Sequence, residues 1–428
     1  MYISCNIDGQ KVTCESGTTI LEAAKAAGID IPSLCYFKDL NQIGACRVCV
    51  VEIEGRPRLM ASCTTQAEDG MVIRTNSERV RDSRRRSIDL ICRQHRMDCE
   101  YCPDYTFCEL HAIVRQLGMD DRKYSQVYHE RRADDSSASI VRDNSKCIRC
   151  RRCVAACKGQ GVEAIGPLYR AQMTEIGSLL PMAETNCIGC GQCVRVCPTG
   201  ALFVKDDTDR LWRAQNNKKK IVLGIMPETA ENIGRFFGAK EDRDDMARLT
   251  AVCKKAGAFE VLDLTGLREL ALNELAAEIA QRRETTGEPV PVSVCYGEKH
   301  RKDHGQEMLF SRGMDEIFCE KAVKLMEKRG VSREELFLIY VSPCTAAKRD
   351  CHCDAALTTV ELFQWIQRAC VSKFTALSVW DAAQEADPIK LMADEAIGID
   401  EAAIRLISAC PGGCGNGGGQ FRAKGFQK

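Results

Sequence analysis

Apolar and polar residues alternate along residues 2–14 about Asp8-Gly9, a dipeptide suited to a two-residue hairpin turn, which predicts two antiparallel strands. Thr18 then precedes ILEAAKAAG, a stretch of helical spacing that ends at Gly28. Another helical stretch begins near Ser77, a residue type that caps helix N-termini. From Asp206 to Lys220 the run DDTDRLWRAQNNKKK is dominated by charge and reads as a solvated linker. Beyond it the pattern changes. IVLGIM, FEVLDL, PVPVSVC and LFLIYVSPC are short apolar runs of the kind buried in a sheet, with helical segments such as TGLRELALNELAAEIAQRR between them. Strand–helix alternation predicts an α/β domain with a largely parallel sheet.

Composition narrows the chemistry. With 428 residues, 28 % of them charged, the chain is long enough for roughly two to four domains with their own cores. Lys+Arg and Asp+Glu both number 60, so no charge surplus points to nucleic acid or to an anionic membrane surface. The opening MYISCNIDGQ lacks the pattern of a signal peptide. Apolar runs such as Leu336–Val341 are far too short to span a bilayer. A cytoplasmic protein without a membrane partner is expected. Cysteine is the outlier: there are 27, most in tight C-x2-C arrays. A disulfide scaffold is normally short and secreted, so in a reducing compartment these clustered thiols are metal ligands, for iron–sulfur clusters or zinc.

Spacing separates the sites. Cys35, Cys46, Cys49 and Cys63 follow the hairpin and first helix in the order C-x10-C-x2-C-x13-C. Taken alone they would also suit a zinc ion. The order resembles plant-type [2Fe–2S] ferredoxins, with a longer first gap than their four residues. With the words CRVCVVEIEG and LMASCT, it is similar to the N-terminal module of [FeFe]-hydrogenases and of the large iron–sulfur subunit of respiratory complex I. Next comes His95-x3-Cys99-x2-Cys102-x5-Cys108. A lone histidine is more often a surface residue or a zinc ligand; this order resembles the His-ligated [4Fe–4S] centre of the same two families. Then Cys147-x2-Cys150-x2-Cys153-x3-Cys157 recurs as Cys187-x2-Cys190-x2-Cys193-x3-Cys197-Pro198. In this bacterial two-cluster ferredoxin pattern the fourth cysteine of each run ligates the other cluster. Cys147, Cys150, Cys153 and Cys197 are thus expected to hold one [4Fe–4S] cluster, and Cys187, Cys190, Cys193 and Cys157 the other.

The C-terminal part ends in ACPGGCGNGGGQ (409–420), where glycines beside two cysteines let backbone approach a bulky cofactor. With Ser293-Val294-Cys295, Ser342-Pro343-Cys344-Thr345 and AALTTVEL (355–362), it resembles the catalytic domain of [FeFe]-hydrogenases. That family holds a [4Fe–4S] cubane bridged to a two-iron unit carrying CO and cyanide. The resemblance implies cubane ligands at Cys295, Cys344, Cys410 and Cys414, all present. The positions serving the two-iron unit differ. The proton-relaying cysteine is Val294, the cyanide-holding lysine falls on Ala347, and two methionines are Ser342 and Ser408. Lys348 is one residue out of place for the cyanide. The segment between the second and third motifs also looks shorter than in hydrogenases. Such selective loss implies a retained electron-carrying cubane and no hydrogen chemistry.

The expected architecture is multidomain, α+β and α/β. It comprises a β-grasp [2Fe–2S] domain (1–76), a small helical domain for the His-ligated [4Fe–4S] cluster (77–138), a two-cluster bacterial ferredoxin-like domain (139–206) and a C-terminal α/β [FeFe]-hydrogenase-like domain (207–428). Together they imply one [2Fe–2S] and four [4Fe–4S] clusters. No Gly-rich dinucleotide fingerprint or flavin site is visible. The resemblance implies an electron-transfer subunit docking onto a flavin-containing NADH-dehydrogenase-like subunit with a small [2Fe–2S] companion. Ferredoxin and a formate dehydrogenase catalytic subunit are further implied partners, in an electron-bifurcating formate dehydrogenase or transhydrogenase. The alternatives are an active or sensory [FeFe]-hydrogenase with an atypical site, and a cluster-sensing scaffold. Eight cysteines (5, 14, 92, 253, 319, 351, 353 and 370) lie outside any motif and read mostly as small buried hydrophobes. Cys351-His352-Cys353 follows the second motif and is a candidate to line the vacated pocket.

Overall fold

The computed structural model describes residues 1–102, 104–120, 122–124, 133–237, 244–302, 307–370, 388–391, 404–410 and 420. The chain divides into two compact units: Met1–Asp134 with Arg142–Leu179 and Val196–Phe203, and Asp135–Val141 with Leu180–Arg195 and Val204–Lys428.

The first unit opens with strands Tyr2–Ile7 and Gln10–Glu15, antiparallel in the register Ile7↔Gln10. Asp8 and Gly9 turn between them at φ 51° and 89°, the left-handed pair that the hairpin requires. Strand Val72–Arg74 runs parallel to Tyr2–Ile7 and carries Val50–Ile53 and Met60–Ala61 beyond it, making a five-stranded sheet. Helix Ile20–Ala26 packs its Ile20, Leu21, Ala23 and Ala24 into the core over that sheet. Its N-cap is Thr19, whose hydroxyl accepts the Glu22 amide, one residue after the threonine singled out from sequence. Helix Glu78–Cys92 is capped by Ser77 as expected, and helix Glu109–Gln116 packs beside it around Ile88, Leu110 and Val114.

In the second unit a parallel five-stranded sheet has the order Ala355–Leu357, Leu336–Val341, Lys220–Ile225, Glu260–Asp263, Ile389–Lys390. Its central strands are buried on both faces, which is why they read as unbroken apolar runs. Val290–Ser293, expected from sequence in the same sheet, instead forms a separate three-stranded parallel sheet with Leu309–Phe310 and Ile404–Leu406. The charged stretch after Asp206 is a helix, Thr208–Asn216, rather than a linker. Thr208, Leu211 and Ala214 recur at three-residue spacing and are buried, so one apolar stripe docks the helix while its charges face solvent. The long helical run at 265–283 is two helices, Leu267–Asn273 and Ala276–Thr286. Among the described residues no helix is long and apolar enough to cross a membrane.

Candidate metal centres

Four thiols converge at the first sheet. Cys35 follows the first helix, Cys46 and Cys49 lie on the loop into Val50–Ile53, and Cys63 follows Met60–Ala61. Cys35, Cys49 and Cys63 are buried, and the Cys46 amide donates to Cys35 Sγ at 3.5 Å. Cys35 also shares hydrogen bonds with the Cys46 and Cys63 thiols, and Cys49 with Cys63. These contacts hold the Cys35 thiol down at about 2 and Cys49 at about 7, while Cys46 and Cys63 are pushed up. Four sulfurs linked in the order Cys46, Cys35, Cys63, Cys49, two of them primed to lose a proton, fit an iron–sulfur ligand set.

His95 follows helix Glu78–Cys92 and is buried. Its ring donates a hydrogen bond to the Lys146 main chain, and burial lowers its pKa to about 4, so the imidazole is neutral. Nδ1 is buried without a hydrogen-bond partner. A neutral ring fixed at one nitrogen and open at the other is how histidine presents itself to a metal. Cys99 and Cys102 bracket a single turn, and Cys108 caps helix Glu109–Gln116, its sulfur accepting the His111 amide at 3.5 Å. Burial pushes the Cys108 thiol up to about 12. A Cβ on Gly200 would stand 2.8 Å from Cys102 Sγ, so only glycine lets this backbone lie against the cysteine.

Cys147, Cys150, Cys153 and Cys197 line one pocket, walled by Ile148, Ile165 and Ile176. Arg149 and Arg151 sit at φ 58° and 61°, left-handed kinks that wrap the C-x2-C-x2-C loop, and the Arg149 amide donates to Cys147 Sγ at 3.4 Å. What ties this pocket to the first site had no sequence signal. The buried amide of Asn41 donates to the Cys35 carbonyl at 2.7 Å and to the Cys150 carbonyl at 3.1 Å. Arg152, 1 % exposed, grips both oxygens of Glu109 at 2.8 and 3.0 Å and lies over the Phe37 ring at 5.5 Å. Cys157 accepts the Ala164 amide at 3.2 Å in this unit.

In the second unit the C-terminal cysteines leave the carboxyl ends of parallel strands, where open α/β sheets place their ligands. Cys295 follows Val290–Ser293 and Cys410 follows the neighbouring Ile404–Leu406; Cys344 follows Leu336–Val341. Cys295 and Cys410 are close enough to repel electrostatically, with Arg195 beside Cys410 and the Gln192 side chain bonded to it. The turn Tyr296–Lys299 packs on the turn Thr345–Lys348, bringing Cys344 alongside. The Cys187–Cys193 run lies against both: Thr345 Oγ1 donates to the Gly189 carbonyl at 2.5 Å, Arg349 to the Cys187 carbonyl at 3.1 Å, and Ile188 approaches the Cβ direction of Gly297 at 3.7 Å. Cys414 and residues 411–419 lie outside the described residues, as does the side chain of Cys370.

One feature recurs at these cysteines. Ser293, Ser342 and Ser408 each stand two residues before a cysteine and accept its amide hydrogen bond, at 3.1, 3.2 and 3.3 Å; Thr185 does the same for Cys187 at 3.2 Å. The spacing was visible in the sequence. Val294 packs against an apolar cluster of Leu272, Ile279 and Leu309, and Ala347 is 1 % exposed in the main core. Lys348 is committed elsewhere: its ammonium donates to the Lys205 carbonyl at 2.9 Å, Asp207 Oδ2 at 2.7 Å and Glu361 Oε1 at 2.8 Å. Three protons meet three acceptors.

Residues 1–78 match the 2Fe-2S iron-sulfur cluster binding domain, 138–204 the 4Fe-4S dicluster domain, and 219–405 the iron only hydrogenase large subunit, C-terminal domain. The NADP-reducing hydrogenase subunit HndD of Solidesulfovibrio fructosivorans is 32 % identical over 406 residues, covering 86 % of this chain and 68 % of that one. The chain belongs to the iron-only hydrogenase large-subunit family. The chain is also 30 % identical to the mitochondrial NADH-ubiquinone oxidoreductase 78 kDa subunit of Candida albicans, over 54 % of this chain but only 32 % of that longer relative. A solved NAD+-reducing [NiFe]-hydrogenase chain, 30 % identical, superposes on 47 % of this chain and 87 % of its own length with a TM-score of 0.45. Family membership accounts for the thiol sites as [2Fe–2S] and [4Fe–4S] binding domains and makes this an iron–sulfur electron-transfer protein.

Proposed function

We propose that the chain relays single electrons between a flavin-bearing NAD(P)H-oxidising subunit, ferredoxin and a further oxidoreductase subunit, and neither makes nor consumes hydrogen. A formate dehydrogenase or a transhydrogenase of the bifurcating kind is the further subunit that suits it. The names of relatives support the flavin-side partner: subunits of an NADP-reducing hydrogenase, an NADH-quinone oxidoreductase and an NADPH-Fe(3+) oxidoreductase. The observation that carries the loss of hydrogen chemistry is the packing of a half-buried Val294 and a buried Ala347 against apolar side chains, at the positions where the family keeps its proton relay and its cyanide-holding lysine.

Iron–sulfur clusters supply one-electron redox chemistry when bound. The ligand sets proposed are Cys35, Cys46, Cys49 and Cys63; His95, Cys99, Cys102 and Cys108; Cys147, Cys150, Cys153 and Cys197; Cys187, Cys190, Cys193 and Cys157; and Cys295, Cys344, Cys410 and Cys414. The residues around them position and insulate. Asn41 holds the carbonyls of Cys35 and Cys150 on one amide, giving a short bonded route from one ligand set toward the next. Thr345 and Arg349 do likewise between the Cys187 run and the Cys344 loop.

One preparation tests the reading: protein co-expressed with the hydrogenase maturation enzymes and purified anaerobically. About 18 iron per chain is expected from one [2Fe–2S] and four [4Fe–4S] clusters, with no CO or cyanide bands in the infrared and no hydrogen uptake. Iron at about half that content sinks the five-cluster assignment. Sharp CO and cyanide bands with hydrogen uptake restore the alternative, an active or sensory hydrogenase with an atypical site, which the name of the S. fructosivorans relative favours.

A further inference from the structure

Three cysteines outside every iron–sulfur motif meet in the second unit. Asp315 and Cys319 lie four residues apart on helix Met314–Glu327, hence on one face of it. Opposite them runs the hook Cys351-His352-Cys353, between the turn Thr345–Lys348 and strand Ala355–Leu357. The Cys353 thiol is in hydrogen-bonding contact with the sulfurs of both Cys319 and Cys351. A carboxylate oxygen of Asp315 and the sulfurs of Cys351 and Cys353 all lie within 4.8 Å of one another. Asp315 and Cys353 are 0 % and 8 % exposed, and the cluster borders the main apolar core.

The surroundings of Asp315 are those of an oriented ligand. Tyr296 Oη donates to Oδ1 at 2.5 Å, while the His352 amide at 2.6 Å and its ring Nδ1 at 3.0 Å reach Oδ2. Three donors fix this buried carboxylate in place, and the lone-pair capacity left on it stands beside the thiols, a mixed oxygen–sulfur donor set. Arg333, bonded to Asp354 at 3.0 Å, is within electrostatic reach of Cys319 and Cys353 but is held by its own partner.

We propose that Asp315, Cys351 and Cys353 bind one zinc ion, with Cys319, in contact with Cys353, as the fourth ligand. Thiolates sharing a tetrahedral zinc, with bonds of about 2.3 Å, stand about 3.8 Å apart; Asp315, Cys351 and Cys353 are clustered closely enough for that, and Cys319 turns in from beside Cys353. The ligands of an iron–sulfur cubane bind four different irons and stand farther apart, so this set suits a single ion. Soft thiolates with one carboxylate favour zinc over ferrous iron in the order of divalent affinities. The ion would fasten the hook that follows Cys344 to helix Met314–Glu327, bracing one wall of the C-terminal cysteine site.

The test is zinc analysis and zinc-edge X-ray absorption on the full chain, grown with zinc and iron and purified anaerobically over a mild chelator. The expected result is about one zinc per chain with three sulfurs at about 2.3 Å and one light atom at about 2.0 Å. Cys351→Ser with Cys353→Ser should lower zinc at least fivefold and leave iron unchanged. Zinc below about 0.2 per chain in the unsubstituted protein, or a zinc shell of only nitrogen and oxygen, overturns the proposal. So does a disulfide joining any two of the three cysteines. The measurements on the unsubstituted chain stand even if the double variant fails to fold.

Discussion

Replacing Lys348 by methionine asks what that lysine does. Its side chain and that of Glu361 are 1 % and 3 % exposed, so the pair sits in the interior. Glu361 is further fixed through Oε2, which accepts the Thr358 amide at 2.9 Å and its hydroxyl at 2.7 Å, capping helix Thr359–Cys370. Oε1 takes the Asp207 amide at 2.8 Å as well as the ammonium. Burial already raises the Glu361 carboxyl pKa, with Lys348 the main opposing influence. Methionine fills similar volume and removes the charge. Breaking a buried pair from one side costs about 3–5 kcal/mol, because the surviving charge is left without a partner. With a urea slope of about 3 kcal/mol per molar, the unfolding midpoint falls by about 1–2 M. Adding Glu361→Gln should recover part of the loss, with a coupling energy above about 1 kcal/mol in the double-mutant cycle. Anaerobic urea unfolding followed by far-ultraviolet circular dichroism reads all four proteins. If Lys348→Met stays within about 0.3 M of the parent midpoint, the ammonium is not carrying the structure. Lys348 would then be free for another task, the holding of a cyanide included.

Two further outcomes follow from the ligand surroundings. Asn41→Ala leaves the buried carbonyls of Cys35 and Cys150 without their donor, a cost of about 1–3 kcal/mol each; thermal loss of the [2Fe–2S] absorbance should start at lower temperature, and an unshifted melt refutes the bridge. Ser342→Ala with Ser408→Ala frees two cysteine amides to turn toward cluster sulfur; a gain of about 0.5–1 kcal/mol for the reduced state is about 20–40 mV, so one [4Fe–4S] potential should rise in redox titration, and an unchanged or lower value counts against the role given to these hydroxyls.

The candidate metal sites could be proposed because clustered thiols leave a local signature. A chain that returns to one centre within a few residues shows it as C-x2-C runs, such as that at Cys147, while Cys35 and His95 entered only with the family resemblance that their order carries. The hairpin at Asp8-Gly9 and the cap at Ser77 are local in the same sense. What escaped is what tertiary structure supplies. Asn41 is an ordinary loop residue until a cysteine more than a hundred positions away comes within reach. Helix Thr208–Asn216 was mistaken for a linker because most of its signal is charge; only Thr208, Leu211 and Ala214 betray the buried stripe. Val290–Ser293 reads like any buried strand, and nothing local assigns it to the smaller sheet. Cys319 gives no local sign of its contact with Cys353, because the two lie on opposite sides of the second motif in the chain.

The serines decide how the C-terminal site should be understood. Had Ser342 and Ser408 merely replaced methionines no longer under constraint, their hydroxyls would have no common role. Instead each accepts the amide of the cysteine two residues on, as Ser293 does at the first motif and Thr185 does at the ferredoxin run. A thioether is a weak acceptor and could not make that bond well. The same local turn therefore shapes four cysteine loops in one unit. An amide tied to a hydroxyl is withdrawn from the cluster's sulfur atoms, and fewer donors to sulfur make a cluster harder to reduce. In the proposed relay, exchange with ferredoxin demands a low-potential [4Fe–4S] centre. Under that proposal the serines at the positions that serve the two-iron unit in the family would also set the potential of the cubane, so both effects would trace to Ser342 and Ser408.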